Sequence, residues 1–155
     1  MNGFLYTILV AAALASPAGV LCATPLDKAS PEYSQLEAMG YEVQPPKPSD
    51  TSTIAKSMDT TLVIFKNDNG ISMARYFKRE RKDLDKEQML QLLTLVNSIN
   101  TDQAFQLSVQ DTLLTVAVYN IGPYNPKVFA SLVRKLEMSS TIFTKYPALL
   151  KLMNQ

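Results

Sequence analysis

The chain has 155 residues, 46% of them hydrophobic, with 15 Lys+Arg against 14 Asp+Glu for a formal charge of +1. That is one domain's worth of globular material, with no whole-molecule field to attract nucleic acid. Histidine is absent and Cys22 is the single cysteine, which excludes Ser-His-Asp and Cys-His nucleophiles and leaves no zinc ligand set.

The first charged side chain is Asp27. Before it, Phe4 to Ala15 reads FLYTILVAAALA, in which only Thr7 is clearly polar, and Ser16, Pro17 and Gly19 then break the run. An apolar core with a small-residue exit is the pattern of a secretory signal peptide, here residues 1–23. Cleavage is expected after Ala23. The alternative is Ala18, which puts Ser16 rather than the bulkier Leu21 three residues before the cut. Membrane attachment follows only if the segment is retained, because spanning takes about 20 apolar residues. Leu21 ahead of Cys22 disfavours a lipoprotein. An exported chain without disulfides suits a bacterial periplasm or bacterial secretion.

Residues 24–59 read as a short helix and a connector. Ser30 caps, Pro31 takes the first helical position, and Glu32 faces the positive end of the dipole. Gly40 stops the helix, with Leu36 and Tyr41 placed for the apolar contact of a Schellman ending. Gln44 to Thr53 (QPPKPSDTST) is polar and rich in proline, hence extended and solvated.

Residues 60–155 carry the α+β domain. TLVIFK (61–66) and ISMARYF (71–77) flank Asn67-Asp68-Asn69-Gly70, where Asn-Gly marks a hairpin. Ile71, Met73, Arg75 and Phe77 share one side of the second strand. Asp85 and Gln88 form a capping box with Leu84 stapled onto Met89, and Met89, Leu92, Leu93, Val96 and Ile99 give that helix its buried stripe. A second hairpin alternates Phe105, Leu107 and Val109 against Leu114, Val116 and Val118, turning around Gln110-Asp111. Asn125-Pro126 starts the last helix, with Phe129, Leu132, Val133 and Leu136 buried, and Pro147 kinks it before a terminal segment. The predicted architecture is an antiparallel sheet of two hairpins, in the order α-ββ-α-ββ-α, with helices packed on one face.

That order, with LEAMGYEV (36–43), the LVIF hairpin, LLTLVNSINTDQAFQLSVQDTLLTVAVYN and NPKVFASLVRKLE, resembles YbjN-type domains over residues 33–153. The resemblance implies the type III secretion chaperone-like fold, frequent dimerisation and no catalytic residues to carry over. Secretion chaperones of this fold bind extended segments of other proteins.

Little chemistry is legible beside it. Thr53-Ile54-Ala55-Lys56 is the nearest approach to a Ser-x-x-Lys pair and falls in the connector. Asn67-Asp68-Asn69-Gly70 reads as a turn and not as a calcium loop, because Tyr76 stands where the closing Glu would be. The single local charge feature is Lys78-Arg79-Glu80-Arg81-Lys82, so Lys78, Arg79, Arg81 and Lys82 are the candidate partner contacts. Leu90 and Leu95 on one helix and Val128 on the other lie beside the main stripes and are candidates for an exposed apolar row. The sequence therefore leads us to expect an exported, non-enzymatic, protein-binding or chaperone-like module of the bacterial envelope. No cofactor, metal or nucleic acid is expected. The alternative is a homodimeric structural or regulatory component of an envelope assembly.

Overall fold

A computed structural model describes residues 23–47, 49–79, 84–102, 105–110 and 112–154. Of the expected leader only Ala23 is described, and the apolar segment, Ala18, Cys22, Arg81 and Lys82 lie outside the described residues. Among the described residues no helix is long and apolar enough to cross a membrane.

The fold is α+β. Helix α1 (Pro31–Ala38) is followed by β1 (Glu42–Val43), β2 (Thr53–Lys56), β3 (Thr61–Asn67) and β4 (Gly70–Lys78). Helix α2 (Lys86–Asp102) leads to β5 (Gln106–Gln110) and β6 (Leu113–Ile121). Helix α3 (Pro126–Glu137), a 3-10 turn (Met138–Ser140), α4 (Thr141–Lys145) and α5 (Pro147–Met153) complete the chain. The strands form one antiparallel sheet in the order β1-β2-β3-β4-β6-β5.

The sheet is thus wider than the two hairpins expected. Glu42–Val43 and Thr53–Lys56 extend it beyond β3, with Ala55 opposite Leu62 and Thr53 opposite Ile64. The inward positions of β2 are Thr53 and Ala55, both buried. Small side chains suit a strand packed against the Leu26 segment, yet they carry no apolar alternation that a sequence reading would register. The Thr53 hydroxyl is satisfied there by accepting from the Leu26 amide at 2.7 Å.

Local punctuation behaves as its chemistry requires. Ser30 Oγ accepts from the Tyr33 amide at 3.2 Å. At the other end of α1 the Tyr41 amide reaches the Leu36 carbonyl and the Gly40 amide that of Glu37, both at 3.0 Å, with Gly40 at φ +87°. That pair of bonds is the Schellman pattern. The capping box also forms, the Asp85 amide donating to Gln88 Oε1 at 3.1 Å and the Gln88 amide to Asp85 Oδ1 at 2.8 Å. Asn125 Oδ1 accepts from the amides of Lys127 and Val128 at the start of α3.

Three details depart from expectation. The β3–β4 turn is centred on Asp68 and Asn69, because Asn67 pairs with Gly70; Gly70 is the first residue of β4. Leu93, placed on the buried stripe of α2, is 42% exposed. Helix α2 packs on the edge strand β5 and on α5, a contact narrow enough to be filled by Leu92, Val96 and Ile99. Helix α3 ends at Glu137 instead of running to Pro147, and a 3-10 turn follows while Arg75 and Ser139 bond its last carbonyls.

One hydrophobic cluster joins the inward sheet residues Leu62, Ile64, Met73, Leu114, Val116 and Val118 to helix residues such as Leu36, Leu92, Phe129 and Leu149. The opposite sheet face carries Ile54, Val63, Phe65, Tyr76 and Tyr119, and none of these belongs to that cluster.

Candidate functional site

Two regions place polar groups or apolar surface within reach of a ligand or partner: a polar cavity at one end of the sheet and the sheet face opposite the helices.

The cavity, of about 160 Å³, lies between the start of α1, the β3–β4 turn and the segment from Asn120 to Asn125. Glu32 projects from the first turn of α1 and is 3% exposed. Its Oε1 accepts from Lys66 Nζ at 2.7 Å. Its Oε2 is buried and, among the described residues, has no hydrogen-bond partner. Asp68 and Asn120 also line the cavity, and Phe129 and Leu132 give it an apolar wall. Tyr124 donates its hydroxyl to Gln35 Oε1 beside it. Lost hydration, and then the Glu32 charge, raise the Tyr124 phenol above its ordinary value. Two glycine-linked strand ends close the floor: the Gly122 amide donates to the Asn69 carbonyl at 2.7 Å, and a Cβ on Gly70 would stand 2.0 Å from the Asn120 carbonyl oxygen.

From sequence, Glu32 is expected only to face the positive end of the α1 dipole. The available signal was Lys66. It shares the period-2 face of Leu62 and Ile64, and a cation on a core-facing position requires a buried acceptor. Arg75 follows the same logic in the Ile71–Phe77 strand. Its Nη1 donates to the carbonyls of Leu136 (3.2 Å) and Glu137 (2.9 Å), and its Nη2 to that of Asp59 (3.1 Å). The guanidinium also lies over the Phe77 ring, 4.8 Å from its centre. It therefore caps the last turn of α3, where the chain tightens into the 3-10 turn. Burial lowers its pKa from the ordinary value, opposed by the nearby Tyr41, Asp59 and Glu137. Tyr41 donates to Glu137 Oε1 at 2.9 Å in the same cluster, and burial first, then that carboxylate, raises its phenol pKa.

The basic stretch is only partly described. Lys78 is exposed at the end of β4, whereas Arg79 is buried and its amide donates to the Thr112 carbonyl at 2.7 Å. The two cations are not brought together on one solvent-facing surface. The side rows of the helices divide as well: Leu90 (65%) and Val128 are exposed, while Leu95 is half-buried against the core. No group of three or more Asp, Glu, His or Cys side chains able to hold a metal occurs among the described residues.

On the face opposite the helices, the centre is close-packed by Ala74, Thr115 and Ala117, all buried. Beside them β6 ends in two exposed apolar side chains, Tyr119 (61%) and Ile121 (80%). Register places Tyr119 opposite Ser72 and Ser72 opposite Phe65, so Phe65 and Tyr119 flank Ser72 at that end of the face.

Side chains and one backbone bridge occupy part of each sheet edge. On β5, Asn100 Oδ1 accepts from the Leu107 amide at 2.6 Å while its Nδ2 donates to the Leu107 carbonyl at 2.9 Å. On β1, the Tyr33 hydroxyl donates to the Val43 carbonyl at 3.2 Å. Past the end of β2, Thr24 bridges Lys66 on the free side of β3, the paired backbone bonds being 2.8 and 3.2 Å.

No family model matches the chain, and no curated protein matches it. Among solved structures it is similar to YbjN from E. coli, for which a role as a transcription regulator has been suggested. The two share 17% sequence identity with a TM-score of 0.52, over 75% of this chain and 84% of that one. At this identity the likeness concerns architecture, and the chain has a YbjN-like α+β fold.

Proposed function

We propose that the protein is an exported, non-enzymatic binding module of the bacterial envelope that recognises a protein partner through the sheet face at the end of β6. The observation that supports this reading is the exposure of Tyr119 and Ile121 on a face outside the core. Large apolar groups grouped at one end of a sheet cost free energy in water and gain it when covered, at about 25 cal/mol per Å². Strand addition, the mode by which an open sheet would capture an extended segment, is opposed by Asn100, Tyr33 and Thr24 at the edges. Contact through the face replaces it. The export half of the proposal rests on the apolar segment from Phe4 to Ala15 and its small-residue exit.

The test is in-cell crosslinking and affinity recovery of the tagged chain from an envelope fraction, with intact mass read on the same sample. The expected result is a chain processed after Ala23 or Ala18, and a recurrent protein partner lost in the Tyr119→Lys/Ile121→Lys variant at unchanged melting temperature. A partner retained by that variant sinks the sheet-face reading. Recovery of the chain only with itself supports the homodimeric alternative, and an unprocessed mass sinks export with cleavage.

A further inference from the structure

The formal charge of +1 conceals an uneven distribution. Residues 121–155 carry five Lys+Arg (Lys127, Arg134, Lys135, Lys145 and Lys151) and a single acid, Glu137, whereas the ten Lys+Arg before them face thirteen Asp+Glu. Glu137 is half-buried and accepts from the Tyr41 hydroxyl at 2.9 Å. Charge asymmetry of this kind marks a surface for a polyanion or a membrane.

Helix α3 gathers that excess on one face. Its inner side is Phe129, Leu132, Val133 and Leu136, all buried. Lys127, Ser131, Arg134, Lys135 and Met138 follow at i, i+4, i+7, i+8 and i+11 on the outer side, all exposed, and Val128 borders them. This arc is about 16 Å long and holds no acid. The side chains of Lys127, Arg134 and Lys135 make no ion pair or hydrogen bond among the described residues. The stability of the helix does not account for all three. Arg134 and Lys135 suit the last turn, but Lys127 stands in the first turn, where the dipole disfavours a cation.

We propose that the outer face of α3 binds the surface of an anionic phospholipid bilayer, with the helix lying along the headgroups. Cations spaced on the order of a Debye length attract acidic headgroups together. Met138, 66% exposed, and Val128, 38% exposed, accompany them. Such side chains enter the boundary of the acyl chains while Lys and Arg stems reach back to the phosphates. A nucleic acid is less well matched, because the arc presents no aromatic ring to stack a base and no Asn or Gln to read one. Binding of this kind needs neither a spanning segment nor the sheet face, so it holds independently of both.

The test is flotation of the purified chain, in the form that cells accumulate, with vesicles of phosphatidylcholine and phosphatidylglycerol in equal parts. Vesicles of phosphatidylcholine alone are the reference. Any leader still attached inserts into both by its apolar area, so the ratio of the two partition coefficients reads the charged surface. At roughly fivefold per cation, that ratio should be about a hundred at low salt and approach one at high salt. Arg134→Gln/Lys135→Gln should lower it about 25-fold and Lys127→Gln about fivefold. Lys127→Gln removes a cation that the dipole disfavours, so it carries the test if the double variant is less stable. Lys47→Gln/Lys56→Gln, an equal loss of charge from exposed positions before β3, should leave the ratio within about twofold. The proposal is overturned if both vesicle types bind the chain alike, or if the α3 variants keep the full ratio at unchanged melting temperature. A Lys47/Lys56 variant that lowers the ratio as much as the Arg134/Lys135 one overturns it too, by assigning the effect to net charge. It is likewise overturned if mixed-sequence duplex DNA, at equal phosphate concentration, displaces the chain from the vesicles, which makes α3 a nucleic-acid surface.

Discussion

Gly70 shows how much a single absent side chain decides. It pairs with Ile121 across the sheet and with Asn67 across the turn, and the Asn120 carbonyl occupies the space where its Cβ would be. Because that obstacle is backbone, it cannot swing aside. Gly70→Ala should lower stability by about 3 kcal/mol through displacement of β6 from the turn, measurable by urea unfolding. A loss under about 0.5 kcal/mol would show that the two backbones separate freely. Arg75 makes the complementary point. Its position in an apolar strand stripe was visible in the sequence, but its partners, the last carbonyls of α3, are some sixty residues away along the chain. Lys66 and Glu32, separated by 34 residues, repeat the pattern. For Arg75 alternation revealed a charge on the inner face, and for both cations only the packing of a distant helix revealed what satisfies it.

At the scale of elements, the punctuation of the helices was legible because caps are local. Ser30, Gly40, Asp85 with Gln88, and Asn125 act on amides and carbonyls within a few residues, so sequence order is spatial order. Edge strands lack that property. Whether β5 is an edge depends on β6 having inserted between it and β4, and Asn100 becomes an edge block only once α2 lies against β5. An unpaired edge is a template for association. Asn100→Ala leaves the Leu107 amide and carbonyl open, at a cost of about 1–2 kcal/mol. The variant should also self-associate at concentrations where the parent stays in its original state, as read by light scattering. Unchanged scattering would mean that the edge is protected by something other than the Asn100 amide. The same dependence on neighbours explains the two extra strands. Glu42–Val43 and Thr53–Lys56 are short, and they become strands because β3 offers β2 a ladder and β2 offers the next one to β1.

For the molecule as a whole, the absence of histidine moves the expected pH response to the alkaline side. Burial raises the phenols of Tyr41 and Tyr76 above their ordinary value of 10.0. With the folded pKa above the unfolded one, this contribution to stability is complete below pH 10.0. It is lost as rising pH ionises the unfolded chain first. Unfolding free energy should therefore fall from about pH 10 upward, and Tyr76→Phe should flatten that slope in urea titrations between pH 8 and 11.5. An equal slope in the variant would assign the alkaline response to other groups. The placing of Phe65 and Tyr119 on either side of Ser72 also belongs to this scale, because it exists only once β3, β4 and β6 are in register.

The fold class, the helix boundaries at their caps and most of the buried stripes are legible in the chain alone, because periodicity and capping are short-range properties. Leu92, Val96, Phe129, Val133 and Leu136 are buried where their spacing put them. Tertiary structure alone decided the width of the sheet, the partial cover on its edges, the exposure of Leu93, and the meeting of Glu32, Lys66, Asp68 and Asn120 around one cavity. Those outcomes depend on which strand lies beside which and on the helix that crosses them. Strand neighbours in this sheet are not always neighbours in sequence, so no local pattern encodes them.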